Sequence, residues 1–577
     1  MAALANPHRY NFGDAMPAVM LLVVIGTSVV VLCLLTVVLW LSLTNGSPGD
    51  LDLTYTAQNF IEVFSDPRTF TVLIDTVDFS LISLMVALAF GIPAAWLAER
   101  TDFPAKTLLF TLMAVGLLIP GFAAAMGWLF LLHPRIGLLN QLLMSSFHLA
   151  GPPLNISTIA GMGWVQGLNL APLAFIMTAA VFRSMDPTLE EAAQMHGAGT
   201  LMVLRRITVR LAWPGIMAAA IYIFMTAFAA FDVPAIIGWG NRIFTFTTYL
   251  YLLLNPQDSL PRYGLGAALS TVAMGIAALM SWWYGAMQRR SRRFAVVTGR
   301  AYRPKIVRLG RRRLAAWGFV GVYFVLGKVL PIALLGWSSL LPFFQLPSAR
   351  AFATVSLAHY FSLPWELVLT GLWNTSILAI LTPSLTLVLS LAFSWIVLRS
   401  KYPGRGGFDF IAFLPHAVPS IVFGVGALLL TLFVIQRTLP IYGTVWILLI
   451  VFTIARLSYG TRMTNSGLIQ IHPELEESAL MSGATAWGAF ARISVPLLAP
   501  TLLYAWLWIA LLIFRELTLA VILSTADNLT FPVVVWSLWL GGGLGQASAL
   551  AVVMLLMMTP MIVIYWLFAR RQGLLAT

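Results

Sequence analysis

Long apolar stretches separated by short polar segments make up most of this chain, and this pattern predicts its fold class. Each stretch is about 20 residues or longer, which at ~1.5 Å per helical residue is enough to cross ~30 Å of hydrocarbon. The apolar residues are continuous and do not alternate with polar ones, as they would in a transmembrane β-barrel. We therefore predict an all-α integral membrane protein with about 12 transmembrane helices. The predicted spans are 16–43, 73–98, 107–132, 158–182, 214–237, 264–287, 315–341, 371–398, 409–435, 443–468, 497–523 and 546–568.

Composition supports this class. Hydrophobic residues make up 60% of the 577 residues and charged residues 10%, whereas soluble domains carry about 25% charge. The net charge of +13 does not indicate a nucleic-acid partner. Most Lys and Arg residues fall in segments on one side of the membrane, if Arg456 and Arg462 count as the inner end of the tenth span. That bias predicts cytoplasmic N- and C-termini. The single cysteine, Cys33, lies in the first span, so no intramolecular disulfide is possible.

Two sets of repeated residues divide the chain. Residues 187–209 and 473–495 agree at 11 of 23 positions with an offset of 286. Each half then holds six spans, an even number, so both halves have the same orientation, as in parallel transporter repeats. A second set, with an offset of 299, pairs Arg100, Pro104 and Pro120 with Arg399, Pro403 and Pro419. We predict two parallel six-helix repeats, with a first half over 1–288, a basic linker over 289–313 and a second half over 314–577.

The linker carries eleven of the 34 Lys and Arg residues. Such a segment resists translocation and is favoured beside anionic membrane lipid, so we interpret it as a cytoplasmic topology signal. A regulatory or RNA-binding role is the alternative interpretation.

The loops 184–213 and 469–496 contain the same local signals. In each loop a proline opens a helix where its missing N–H has no cost, and two glutamates occupy the first turn, where the helix dipole favours anions. A Gly-Ala pair then permits a tight turn into a second helix, which we expect to end near the next proline. We expect the small residues to allow close backbone approach and the glutamates to meet Arg or Lys of a partner. The residues are Pro187, Glu190, Glu191, Gly197, Ala198 and Pro214, and then Pro473, Glu476, Glu477, Gly483, Ala484 and Pro496.

These loops resemble the EAA loop of ATP-binding-cassette (ABC) importer permeases, whose pattern is roughly E-A-A, three residues, G, then I-x-x-P. Ser478 replaces the first Ala of the second copy, and Arg210 stands where that copy has Pro496. The resemblance implies a type I importer permease fold in a bacterial inner membrane. The matching residues are Glu191, Ala192, Ala193, Gly197 and Ile207 in the first copy, and Glu477, Ser478, Ala479, Gly483, Ile493 and Pro496 in the second.

In that family each loop forms a coupling helix that fits a cleft on an ATPase subunit. The resemblance therefore implies two copies of a cytoplasmic ABC ATPase and an extracytoplasmic solute-binding protein as partners. The chain itself has no P-loop, because its nearest approach, from Gly321 to Lys328, has one residue too many and is followed by Val329 where the motif needs Ser or Thr. We expect the partner to use ATP, this chain to bind no cofactor, and this chain not to be an enzyme.

Two acidic residues occupy nearly matching positions in the fifth and eleventh predicted spans. Asp232 and Glu516 lie 18 and 16 residues after a proline, about 24–27 Å from the inner surface on straight helices. Two carboxylates facing one cavity across a two-fold axis would suit a hard cation such as Fe3+. Alternatively, Glu516 pairs with Arg515 or a neighbour, and Asp232 caps a helix broken at Pro234.

His416 is interpreted as a residue of a helix kink, and no metal site is assigned.

Residues 231–238 (FDVPAIIG) and 513–550 make the chain most similar to the ferric-iron uptake group among fused permeases. The resemblance implies ferric iron as the solute, with ATP-driven rocking of the halves giving alternating access. Permeases for thiamine, polyamines and 2-aminoethylphosphonate share the architecture and stay open as alternatives. An ion-driven secondary transporter is a further alternative, but it leaves the repeated loops unexplained.

Overall fold

The structure is a computed structural model that describes residues 15–45, 54–185, 188–256, 259–292, 306–436 and 438–571. Within these ranges ten helices are long and apolar enough to cross a membrane, and two bent helix pairs bring the number of spans to 12. The prediction of an all-α membrane protein is confirmed. Both chain termini and residues 293–305 of the linker lie outside the described residues.

The spans are numbered 1 to 12 in chain order. Spans 1 to 6 are Met16–Ser42, Pro67–Arg100, the bent pair Lys106–Leu118 and Gly121–Leu132, Ile159–Arg183, Arg205–Phe228 and Tyr263–Met287. Spans 7 to 12 are Gly310–Ser339, Trp365–Leu398, the bent pair Arg405–Ala417 and Ser420–Ile435, Val445–Gln470, Ala486–Phe514 and Leu544–Phe568. The shorter helices include Gln58–Ser65, Leu138–Phe147, Thr188–Met195, Phe246–Leu254, Ala349–Ala353, Ala358–Phe361, Pro473–Met481, Thr518–Leu523 and Phe531–Leu540. Two short strands, Thr44–Asn45 and Thr54–Tyr55, pair antiparallel after span 1.

Spans 3 and 9 are not continuous, contrary to the prediction. Their two parts are bent by 94° and 100°. Each bend follows a residue with an extended backbone, Ile119 or Val418, that directly precedes a proline. A residue before proline disfavours the helical conformation, because the proline ring crowds its backbone. The repeated Pro120 and Pro419 therefore mark bends at equivalent places in the two halves.

Span 5 also ends earlier than predicted, at Phe228. In a continuous helix the ring of Pro234 would crowd the carbonyl of Ala230 and leave it without a partner. That carbonyl instead accepts a hydrogen bond from Thr247 Oγ1 at 2.7 Å. The depth extrapolated for Asp232 along a straight helix therefore does not apply, because this residue lies beyond the helix end.

The first span of each half packs on the other half. Span 1 contacts spans 8 and 9, and span 7 contacts spans 3 and 4. A glycine makes each crossing possible: a Cβ on Gly127 would lie 2.1 Å from the carbonyl oxygen of Pro331, and one on Gly426 would lie 2.3 Å from that of Leu34. The two glycines are separated by the same offset of 299 as the repeated prolines. The halves are therefore interlocked.

Within each half, two spans pack closely through small residues. A Cβ on Gly91 of span 2 would lie 2.4 Å from the Cβ of Ala174 in span 4. In the second half, a Cβ on Gly460 of span 10 would lie 2.2 Å from Ser390 Oγ in span 8. Small residues let helices approach closely in lipid, where packing drives helix association. Because spans 4 and 10 lead into the repeated loops, these pairs give the loops a rigid support.

Candidate coupling loops and central cavity

Each repeated loop folds as a helix, a glycine turn and a second helix. The glycines adopt the left-handed conformation, with φ of +82° at Gly197 and +89° at Gly483. The amides of Ala198 and Ala484 donate to carbonyls five residues earlier at 3.0 Å, which caps the first helix. No atom lies within 4 Å of a Cβ placed on either glycine. The glycines are therefore needed for the backbone conformation of the expected tight turn, and the close approach to a partner that we expected them to allow stays a prediction.

The second helix of each loop does not end near Pro214 or Pro496. It continues through the π turns Leu204–Thr208 and Phe490–Ser494 into spans 5 and 11. A proline inside a helix removes one backbone hydrogen bond, and a π turn absorbs such irregularity without ending the helix. Each loop is therefore joined to the following span without a flexible connection.

A buried arginine at the end of span 2 anchors the first loop. Arg100 Nη1 lies 3.7 Å from Glu190 Oε2, and Arg100 Nη2 donates to the carbonyl of Met185 at 3.2 Å. Thr208 Oγ1 donates to the same glutamate at 2.7 Å. The loop is thus fixed at its start, in its first helix and in its second.

The second loop repeats this anchor. Arg399 Nε lies 3.6 Å from Glu476 Oε1, its Nη2 donates to Ile471 O at 2.7 Å, and Ser494 donates to the glutamate. Glu190 and Glu476 are each only 8% exposed. The structure therefore corrects the expectation that these two glutamates meet a partner, because they hold each loop to its own half.

The outer surface of each loop is formed by other residues. A methionine at the same repeat position is highly exposed in both loops, 85% at Met195 and 78% at Met481. Exposed methionine suits an adaptable contact with another protein. The sequence analysis did not single out this methionine, although it is one of the identical positions of the repeat.

Pro187 lies outside the described residues, whereas Pro473 occupies the first turn of its helix. The other exposed or partly exposed residues in the loop helices include Glu191, Ala192, Glu477 and Ser478.

A cavity of about 310 Å³ lies between the two halves. Its wall includes the bends of spans 3 and 9 and the segments directly after spans 5 and 11. Non-helical backbone at membrane depth is tolerated only where it is covered by protein or lines a cavity. The interruptions in both halves therefore converge on this cavity, which is the candidate pathway for a solute.

Glu516 lines this cavity and is already paired with an arginine. Its carboxylate forms an ion pair with Arg456 of span 10, and its Oε1 accepts the backbone N–H of Leu519 at 3.2 Å. Arg456 therefore lies in the middle of its helix beside the cavity and is not the inner end of a span. The partner of Glu516 is a neighbour in space, Arg456, and not Arg515. The pair of Arg456 and Glu516 could not be identified from sequence, because the two residues lie 60 positions apart.

Asp232 lies beside the bend of span 3. A Cβ on Gly121 would be 3.1 Å from its Oδ2, and its polar neighbours are Glu516, Arg515 and Thr518. The helical segment at Pro234 has no side-chain cap, so the capping role considered for Asp232 is not seen. The two acidic residues do come together, but each has an arginine beside it.

Arg515 joins the halves at this point. Its Nη1 donates to the carbonyl of Ile119, the residue before the bend of span 3, at 3.0 Å. The ring of His416, which also lines the cavity, stacks on Tyr222 at 4.9 Å between centroids and meets Tyr459 edge-on at 5.6 Å. His416 lies just before the bend of span 9, as expected for a kink residue. Among the described residues, no group of three or more His, Cys, Asp or Glu side chains could hold a metal ion.

Comparison with known proteins agrees with this architecture. Residues 87–293 match the family described as the inner membrane component of binding-protein-dependent transport systems. The chain is 24% identical to the ferric transport system permease protein FbpB of Actinobacillus pleuropneumoniae, over 84% of this chain and 68% of that protein. It is 23% identical to the Fe(3+)-transport system permease protein FbpB 2 of Haemophilus influenzae, over 82% of this chain and 85% of that protein.

A third relative covers one half of the chain. The spermidine/putrescine transport system permease protein PotB of Escherichia coli is 25% identical over 42% of this chain and 86% of its own length. Transport systems of this family depend on a binding protein outside the membrane and an ATPase inside it. By these matches the chain is similar to a multi-pass inner-membrane permease component of an ABC importer, which is a transport subunit.

Proposed function

We propose that this permease carries ferric iron and that two copies of a cytoplasmic ABC ATPase drive it through the two repeated loops. The anchor repeated in both halves supports the coupling role. A buried arginine fixes each loop to span 2 or 8, and an unbroken helix leads from each loop into span 5 or 11. A partner that moves the exposed Met195 and Met481 would therefore move both spans.

This connection links the loops to the cavity. Spans 5 and 11 begin at the loops and end at Phe228 and Phe514, and the residues that follow line the cavity wall. Movement of a loop would therefore be transmitted along each helix to the segments that hold Asp232 and Glu516. In this account ATP is used by the partner subunits, this chain binds no cofactor, and its basic segments face membrane lipid and keep both termini in the cytoplasm.

The relatives support ferric iron as the solute. The two permeases named for ferric transport match more than four fifths of this chain, whereas the polyamine permease matches 42%. Both carboxylates singled out in the sequence line the same cavity. A polyamine is the second candidate, because a spermidine/putrescine permease is among the relatives.

The experiment uses the permease co-purified with its ATPase and binding protein and reconstituted in proteoliposomes. We expect two ATPase chains per permease and ATP-dependent uptake of radiolabelled ferric iron that excess spermidine does not inhibit. Uptake of spermidine without uptake of iron would overturn the substrate. Transport by the permease alone, driven by an ion gradient, would overturn the coupling role and favour a secondary transporter.

A further inference from the structure

The cavity wall contains hydrogen-bond donors that have no acceptor. Asn169 lines the cavity, and its Oδ1 accepts from Lys328 Nζ at 3.3 Å. A lysine ammonium can only donate, so this contact fixes the orientation of the amide. The Asn169 Nδ2 group then has no partner among the described residues. Buried polar groups are nearly always paired, and an unpaired one calls for an explanation.

The two arginines of the cavity also have spare donors. Within the described part of the chain, Arg456 Nε has no hydrogen-bond partner, although its Nη2 is bonded to Glu516. Arg515 uses Nη1 to bond the carbonyl of Ile119, and a guanidinium carries five N–H donors. These groups come from spans 4 and 10 and from the segment after span 11, so they approach the cavity from three directions.

The two carboxylates of the cavity, in contrast, already have cationic or donor neighbours. Glu516 holds Arg456 and the N–H of Leu519, and Asp232 lies among Arg515 and Thr518. A bare trivalent cation needs free oxygen ligands, and it would also be repelled by both arginines. The unpaired groups of this wall are donors, so they suit a ligand that accepts hydrogen bonds.

We propose that the cavity binds an oxyanion, and that iron crosses as a ferric complex whose carboxylate or phosphate oxygens accept from Asn169, Arg456 and Arg515. This inference rests on the proposed function for iron. Lys328 acts as a positioning residue, because it turns the Asn169 amide nitrogen away from itself. A charge-assisted hydrogen bond from arginine to carboxylate or phosphate is among the strongest that a protein makes.

Asn169→Asp tests the sign of the preferred charge. It replaces an N–H2 donor by a carboxylate of nearly the same size, and Lys328 would pair with it, so we expect the variant to fold. An oxyanion complex would lose a donor and meet a like charge, and we expect ATP-dependent uptake of radiolabelled ferric citrate to fall by about tenfold or more. A bare cation would gain a ligand, so unchanged or faster uptake would overturn the proposal.

Two further variants complete the series. Asn169→Leu removes the donor without adding charge and should also lower uptake, whereas normal uptake would count against the proposal. Arg262→Gln is the matched control, because it removes the charge of an arginine that pairs with Glu62 outside the cavity. Its uptake should equal that of the wild type at equal amounts of reconstituted complex.

Double labelling separates the proposal from the assignment of iron. Proteoliposomes receive labelled iron with labelled citrate or labelled phosphate, and each labelled anion without iron. Entry of iron and anion in a fixed ratio supports the complex, and entry of iron without either anion overturns it while the ferric assignment stands. Entry of an anion without iron keeps the oxyanion site and overturns iron as the solute. Entry of neither overturns both.

Discussion

Arg100, at the end of span 2, lies 3.7 Å from Glu190, the first of the two glutamates in the first repeated loop. Arg399 and Glu476 repeat the contact at 3.6 Å in the second half. Both arginines are largely buried, and Arg100 Nε and Nη1 have no hydrogen-bond partner among the described residues. The carboxylate therefore compensates a charge that would otherwise be buried alone.

We expect Glu190→Gln and Glu476→Gln each to destabilise the permease by about 3 kcal/mol, because each leaves a buried guanidinium without its counter-charge. Glu191→Gln is the matched control, since that side chain is partly exposed. Thermal unfolding in detergent measures the difference. Equal stability of Glu190→Gln and Glu191→Gln would show that the anchor contributes nothing.

The ion pair between Arg456 and Glu516 should behave as a unit. Glu516→Gln or Arg456→Gln alone leaves one uncompensated charge beside the cavity, with a cost of about 3–5 kcal/mol. The double variant removes both charges and should be more stable than either single variant, which a double-mutant cycle measures. Additive losses in the cycle would mean that the two side chains do not interact.

The interlocking of the halves depends on two glycines. Gly127→Ala and Gly426→Ala would each push a Cβ into a backbone carbonyl of the other half, at 2.1 and 2.3 Å. Overpacking of this kind costs about 1–3 kcal/mol, and more where backbone must move. Gly26→Ala, in span 1 with no atom within 4 Å, is the control and should leave the melting temperature unchanged. A normal melting temperature for Gly426→Ala would contradict the described crossing.

The spans could be predicted from sequence because the thickness of the bilayer fixes how long an apolar segment must be. The bends could not be placed in the same way, since Pro120 and Pro419 interrupt segments whose composition remains apolar. Those prolines were nevertheless visible as repeated residues. A proline repeated inside a predicted span is therefore a signal for a break that hydropathy alone does not detect.

The two loops could be predicted from sequence because they are repeated. Which glutamate of each loop is buried and which is exposed could not be predicted. Glu190 and Glu191 are adjacent and chemically alike, and only Arg100, 90 positions earlier, determines that the first one turns inward. Arg456 was missed as a cavity residue for the same reason. Its partner Glu516 belongs to a different span, and local spacing carries no information on that contact.

The C-terminal end of the linker is hydrogen-bonded to Arg100, which anchors the first loop, and to Asp102. We call this set of contacts the clip. The N–H of Val307 donates to Arg100 O at 2.9 Å, and its carbonyl accepts from the N–H of Asp102 at 3.1 Å. The side chain of Asp102 accepts from the N–H of Leu309 at 2.8 Å and pairs with Arg313. The Leu309 N–H, followed by Arg313, holds the pKa of Asp102 below its usual value.

We expect Asp102→Asn to loosen this clip at neutral pH, because Asn keeps one acceptor but loses the charge. Faster hydrogen exchange of the Val307 and Leu309 amides would report it. Because the pKa of Asp102 is lowered in the folded protein, its carboxylate stabilises the clip at pH values above the ordinary pKa of about 3.9. This stabilisation is lost as the pH falls through the lowered pKa. The wild type should therefore keep the clip at neutral pH and lose it only in acid. Lys401→Asn, at the equivalent position of the second half, should have no effect on these amides.

The central claim is that the two repeated loops are the docking sites of the ATPase. It is tested most directly by cross-linking Met195→Cys or Met481→Cys, with Cys33 replaced by alanine, to the ATPase in the assembled complex. We expect each single cysteine to capture one ATPase chain and the pair to capture two, whereas Leu260→Cys, which is also exposed but lies outside the loops, captures none. If neither loop cysteine is cross-linked to the ATPase in a complex that hydrolyses ATP, the loops are not the coupling elements.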